Sequence, residues 1–167
     1  MKTTLMFLKG AVRTGILLFF LLSQAYSQTN EIPLLSGIES SDLIYIENDT
    51  VTLTDSIVIT DADDLSLASA AVKIDSNYQC GADVLSFMDT EHIFGAWDTA
   101  TRVLSLTGNA TVEEYINALR NVTYRNTGDS VSVLLRKVVF TVSDGKDYSN
   151  EISRKIAVTG VNDPPVI

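Results

Sequence analysis

One cysteine, one histidine, one tryptophan and three prolines are all that the 167 residues contain. Each scarcity excludes something. A lone Cys80 makes no internal disulfide, so the fold has to rest on a packed core, and in an oxidising compartment such a cysteine is either buried and inert, the expected state, or available for intermolecular pairing. A lone His92 excludes a multi-histidine metal centre, and any Ser-His-Asp arrangement would have to be built around that one side chain. No nucleophile-elbow motif occurs. Cys80 is followed by Gly81 and has no neighbouring base, which makes it a poor nucleophile. The chain therefore reads as non-enzymatic.

Cations are also few: 12 Lys and Arg stand against 21 Asp and Glu, a formal charge of −9. A field of that sign disfavours nucleic acid and anionic membrane surfaces, and favours cations or basic partners. Long apolar runs are missing too. Ile16 to Leu22 falls short of the roughly 20 apolar residues that cross a bilayer. It follows Lys2, Lys9 and Arg13 and precedes the small residues around Ala25-Tyr26-Ser27, the pattern of a secretory signal peptide over residues 1–27. Loss of its three cations takes the charge from −9 to −12. The expected location is extracellular or at the cell surface, with no membrane insertion after cleavage. About 140 residues remain, enough to bury roughly two thirds of the unfolded surface in one core. They show no internal repeat and no low-complexity tract.

What is present is alternation. Residues 28–41 are mixed and polar, and read as a loose leader before a domain over residues 42–161. Leu43 to Glu47, Val51 to Thr54 and Ile57 to Ile59 are short β-rich stretches separated by turn residues. Ile59 runs into Thr60-Asp61-Ala62-Asp63-Asp64, three carboxylates in four positions. Ala70, Val72 and Ile74 alternate with polar or small neighbours, which predicts a half-buried strand. Val84, Leu85 and Phe87 make another apolar stretch, and residues 92–107 read as a hairpin turning at Asp98 to Thr101, with Phe94 and Trp97 in the core. The period then changes. Val112, Tyr115, Ile116 and Leu119 recur at helical spacing behind a Thr111/Glu114 capping box, predicting a short helix over 112–119. Asn121 to Tyr124 reverts to strand. Leu134, Val138, Phe140 and Val142, then Ile152, Ile156 and Val158, form the two arms of a long hairpin around Asp144-Gly145. It ends at Val161-Asn162-Asp163-Pro164-Pro165, where two prolines forbid further pairing. The fold class is all-β: a two-sheet antiparallel sandwich of seven to nine strands with one brief helix.

Taken together, Tyr45-Ile46-Glu47, Ile59-Thr60-Asp61-Ala62-Asp63, Leu106-Thr107-Gly108, Tyr115 with Ala118-Leu119-Arg120-Asn121-Val122-Thr123-Tyr124, Phe140-Thr141-Val142-Ser143-Asp144-Gly145 and Val161-Asn162-Asp163-Pro164-Pro165 resemble a bacterial cadherin-like repeat over residues 42–167. The resemblance implies an Ig-like sandwich in a secreted or surface protein, calcium binding, and adhesion. Its partners would be adjacent repeats or other surface proteins, with polysaccharide as a further candidate. It gives Glu47 the role of the strand-A glutamate, Asp61 and Asp63 that of the Asp-x-Asp pair, Asp144 that of the turn aspartate, and Asn162 and Asp163 that of the linker to a following repeat. The Asp-x-Asp pair and Asp144 would lie at the leading end, and Glu47, Asn162 and Asp163 at the trailing end. Calcium, which takes six to eight oxygen ligands, suits such carboxylates. In extended chain Asp61 and Asp63 would point the same way. Each end read alone is a half-site, which implies a Kd of about 10⁻⁴ to 10⁻³ M. Against this stand two other readings of the residues: a carbohydrate-binding module with Trp97, Phe94, Tyr78 and Tyr148 as stacking surfaces, Tyr148 being the best exposed, and a spacer without ligand.

Overall fold

The computed structural model describes residues 29–161; the expected signal peptide and the expected linker residues Asn162 and Asp163 lie outside them. Eleven strands and one helix follow in order: β1 Leu34–Ser36, β2 Leu43–Ile46, β3 Val51–Thr52, β4 Val58–Thr60, β5 Ser66–Ser76, β6 Asp83–Ser86, β7 Phe94–Asp98, β8 Val103–Thr111, α1 Val112–Arg120, β9 Thr123–Asn126, β10 Arg136–Ser143 and β11 Ile152–Thr159. They form a six-stranded sheet in the order β2-β11-β10-β5-β8-β7, a three-stranded sheet β3-β9-β6, and a two-stranded pair β1-β4. This is an all-β sandwich with one short helix. The strand count exceeds seven to nine because β1, β3 and β4 are only two or three residues long.

Alternation explains the long strands. In β10 the side chains of Val138, Phe140 and Val142 point into the core and are at most 1% exposed. In β5, Leu67 and Ala70 are both buried although three residues apart. A register shift between Leu67 and Ser69 inserts the extra residue that keeps both on the inner face. Across the sandwich, Tyr45 of β2 meets Tyr124 of β9 edge to face, with ring centroids 4.9 Å apart. The helix starts as its capping box dictates. Glu114 N donates to Thr111 Oγ1, and Thr111 N to Glu114 Oε2. Tyr115, Ile116, Ala118 and Leu119 are buried. The Tyr115 hydroxyl donates to the Gly108 carbonyl at 2.6 Å. Gly108 has φ +144°, and a Cβ there would lie 1.9 Å from the His92 carbonyl oxygen, so glycine is required.

Several expectations change. Leu35 is 2% exposed, and β1 pairs with β4 in antiparallel register. Residues 34–36 of the expected leader thus belong to the sandwich, because their one apolar inward position fills the core. The sandwich is not wholly antiparallel either, since β2 runs parallel to β11. Leu134 is 59% exposed and precedes β10; the inward position of that ladder is taken by the buried Arg136. Cys80 is exposed, in the turn between β5 and β6. Phe94 is 54% exposed because its strand lies at the sheet edge with Phe94 on the outer face opposite Thr107, while Trp97, opposite the buried Leu104, packs inward and is half-buried.

Candidate functional site at the leading end of the sandwich

The β10–β11 hairpin and the exit of β4 meet at one end of the sandwich. Gly145, at φ +98°, lets the chain reverse directly after β10. The Asp144 Oδ1 atom then accepts the backbone N–H groups of Lys146 and Asp147 at 2.7 and 2.8 Å. Asp61 does the same after β4, its Oδ1 accepting from Asp63 N at 3.1 Å and Asp64 N at 2.9 Å. These are Asx-type turns, favoured because a short carboxylate can replace the missing ladder partner. The turn breaks the extended alternation expected of Asp61 and Asp63. Carboxylate oxygens of Asp61, Asp64 and Asp144 come within 4.8 Å of one another. Asp63 instead accepts Glu31 N at 3.1 Å.

Further groups surround the three carboxylates. Asn30 Nδ2 donates to Asp144 Oδ2 at 2.7 Å and to Asp147 Oδ2 at 2.9 Å. Lys146 Nζ lies 2.9 Å from Asp64 Oδ2 and 2.7 Å from Asn30 Oδ1. The second oxygen of Asp61, Oδ2, is buried and has no hydrogen-bond partner. Partial burial of Asp144 works against its ionisation, but donation from Asp147 N, Asn30 and Lys146 N outweighs it and holds the carboxyl below its ordinary value. The hydrogen bond to Asp64 raises Lys146 above the ordinary lysine value. Three carboxylates held together, one with an oxygen lacking any donor, have the donor chemistry of a hard-cation site.

Glu47 stands elsewhere. It follows β2, is 7% exposed, and its Oε2 accepts Val161 N at 2.8 Å. β2 and β11 end together, with Ile46 opposite Thr159, whereas Asp144 lies beyond the start of β11. Eight residues of strand β11 separate the two ends, about 25 Å at the usual strand rise. Asn162 and Asp163, the other trailing-end candidates, lie outside the described residues.

No family model matches the chain. A stretch of 83 residues, 47% of this chain, is 34% identical to part of halomucin from Haloquadratum walsbyi (strain DSM 16790 / HBSQ001) and covers 1% of that protein. Among solved structures, a cohesin module from the family 33 glycoside hydrolase of Clostridium perfringens ATCC13124 is similar with a TM-score of 0.46 and 10% identity. That match covers 80% of this chain and 100% of the module. The chain spans so little of halomucin that nothing of the whole protein's activity transfers with the similarity.

Two groupings escape a reading of the sequence. Asn30, Lys146 and Asp147 join the leading end although Asn30 is 114 residues from Asp144; Asp64, adjacent to Asp63 in the acidic run, was the one legible member. The other grouping is a buried polar network near the trailing end. Asp83 and Arg136 are both 0% exposed and form an ion pair at 3.2 Å. Asp83 Oδ1 also accepts from the Tyr124 hydroxyl and from Asn126 Nδ2, both at 2.6 Å, and Oδ2 accepts from Gln79 N at 2.7 Å. Arg136 donates in addition to the carbonyls of Ser132 and Leu134. Burial, with the Asp83 carboxylate beside it, pushes the Tyr124 hydroxyl far above the ordinary tyrosine value. The sequence signal for Arg136 was its inward position between Leu134 and Val138. With every charge paired, this network is structural.

Proposed function

We propose that this chain is an exported, non-enzymatic, cadherin-like module that binds calcium and serves adhesion or surface assembly. The observation that carries the reading is the convergence of Asp61, Asp64 and Asp144 within 4.8 Å, with Asp61 Oδ2 buried and unpartnered. Calcium would take oxygens from those three residues and tie the β4 exit to the β10–β11 loop. Lys146 would swing aside to free Asp64. Of the ligands that the family resemblance implies, Asp61 and Asp144 stand in this group, Asp63 stands beside it, and Glu47 with Asn162 and Asp163 would serve the opposite end toward an adjoining module. The likeness to a stretch of halomucin, whose name marks a mucin, supports an extracellular or surface setting. Among the described residues no helix is long and apolar enough to cross a membrane.

The test is thermal unfolding in millimolar calcium against chelator. Wild type is expected to melt higher in calcium, as ligand linkage requires, and the double variant Asp61→Asn, Asp144→Asn to lose the difference. Equal melting of wild type in both conditions would refute calcium binding by the module alone.

A further inference from the structure

The outer face of the six-stranded sheet carries a second group of residues, independent of the carboxylates. Cross-strand partners share a face, so the registers place Phe94, Thr107, Ser69 and Ser143 in one row across β7, β8, β5 and β10. Tyr148 extends the row through its bridge to Ser143. The row runs from one exposed aromatic, Phe94 at 54%, to another, Tyr148 at 75%. Four strand spacings put them roughly 19 Å apart. Beside Tyr148 is a shallow hollow of about 210 Å³, lined in part by Ser69, Ser105, Thr107 and Thr141. Among the described residues, none of those four hydroxyls is engaged in a side-chain hydrogen bond.

The same face carries positive charge. Three of the four lysines between residues 29 and 161, Lys73, Lys137 and Lys155, lie on it in a chain whose net charge is −9. Lys137 and Lys155 are directly opposed across β10 and β11, an arrangement that destabilises a sheet unless an anion relieves it. Asp75 lies 3.6 Å from both Lys73 and Lys137, so one carboxylate serves two ammonium groups. Lys155 has no carboxylate partner among the described residues. Lys73 lies four residues from Ser69 along β5, about 13 Å at strand rise.

We infer that this face binds an acidic polysaccharide. Tyr148 and Phe94 would stack on the apolar faces of sugar rings, the free hydroxyls of the row would bond to sugar hydroxyls, and Lys73, Lys137 and Lys155 would pair with the polymer's carboxylates or sulfates. Charge complementarity selects the occupant: a neutral glycan leaves the opposed lysines unrelieved, and an acidic polypeptide makes no use of ring stacking over hydroxyls. The site shares no residue with the carboxylate cluster and does not rest on calcium.

The experiment is calorimetry of the secreted chain in chelator, with polygalacturonate and heparin as probes and with methyl-esterified polygalacturonate and polyglutamate as controls. One or both acidic glycans should bind and the controls should not. Tyr148→Ala and the double variant Lys137→Gln, Lys155→Gln should each weaken binding roughly tenfold. The lysine variant should also flatten the salt dependence. Lys155→Gln alone, at an exposed and unpaired position, serves where the double variant fails to fold. Asp61→Asn with Asp144→Asn should bind as wild type. Absence of binding to both acidic glycans, equal binding of the esterified polymer, or binding to polyglutamate that Tyr148→Ala leaves unchanged would overturn the inference.

Discussion

The two ends of this sandwich handle buried charge in opposite ways. Near the trailing end, Asp83 is fully enclosed and every lone pair has a donor: Arg136, Tyr124, Asn126 and the Gln79 backbone. At the leading end, Asp61, Asp64 and Asp144 are only partly buried, Lys146 pairs with Asp64, and Asp61 Oδ2 is left without a donor. The first network is complete within the chain; the second leaves an acceptor open, and it is there that we propose a cation binds. The difference separates an acidic group whose acceptors are all matched by donors from one with an acceptor left over. Burial alone would have pointed to the wrong one, since Asp83 is the more deeply enclosed.

Breaking the complete network should have the largest effect. Arg136→Met leaves Asp83 as an uncompensated buried anion, and is expected to cost about 3–5 kcal/mol in urea unfolding. The double replacement of Asp83 and Arg136 by apolar residues of similar volume should cost much less, which would separate the penalty of an orphaned charge from the worth of the pair. At the helix, Thr111→Ala removes an acceptor that the Glu114 amide uses, and should cost about 1 kcal/mol in the same assay.

The leading end should respond more gently and mainly to cations. Lys146→Gln removes the ammonium group that holds Asp64, so calcium should bind several-fold more tightly than to wild type by titration calorimetry. Without calcium, Asp144 ionises below its ordinary value of 3.8 in the folded chain. Its contribution to stability is therefore present above that value and lost as pH falls through the lower folded value. Asp144→Asn should flatten the acid limb of a plot of melting temperature against pH.

The smallest expected effect concerns His92, exposed beside the start of α1. Its Nδ1 lies 2.7 Å from Glu114 Oε1, and that hydrogen bond, reinforced by the charge of Glu114, raises the imidazole above 6.5. The same pair lowers Glu114 to about 2, with help from Thr111. A raised histidine stabilises the fold fully below its unfolded pKa, and that contribution fades as pH rises through the folded value. His92→Gln should remove a small fall in melting temperature as pH rises above the ordinary histidine value of about 6.5.

Local patterns were legible where one residue's role depends on near neighbours. The Thr111/Glu114 box and the apolar positions through Leu119 placed the helix to within one residue of its observed end at Arg120. The alternation of Val138, Phe140 and Val142 gave β10 its inner face. Asp61 and Asp144 could be singled out because the segments around them resemble those of a cadherin-like repeat. Asn30 could not, since nothing within its own segment records the hairpin loop 114 residues away. Nor could Phe94 be told from Trp97, two aromatics in one strand, until pairing with β8 showed which faced the core.

What the sequence by itself determined was the all-β class, the helix start and the acidic character of the strand exits, because these follow from periodicity, capping and composition within a few residues. Only the tertiary structure decided that Asp64 replaces Asp63 in the carboxylate group, that Arg136 neutralises Asp83, and that three lysines share one face. Each depends on register between strands distant in the chain, and the physical reason is the same: a side chain's partner is set by the folding of another segment, which its own neighbours do not encode.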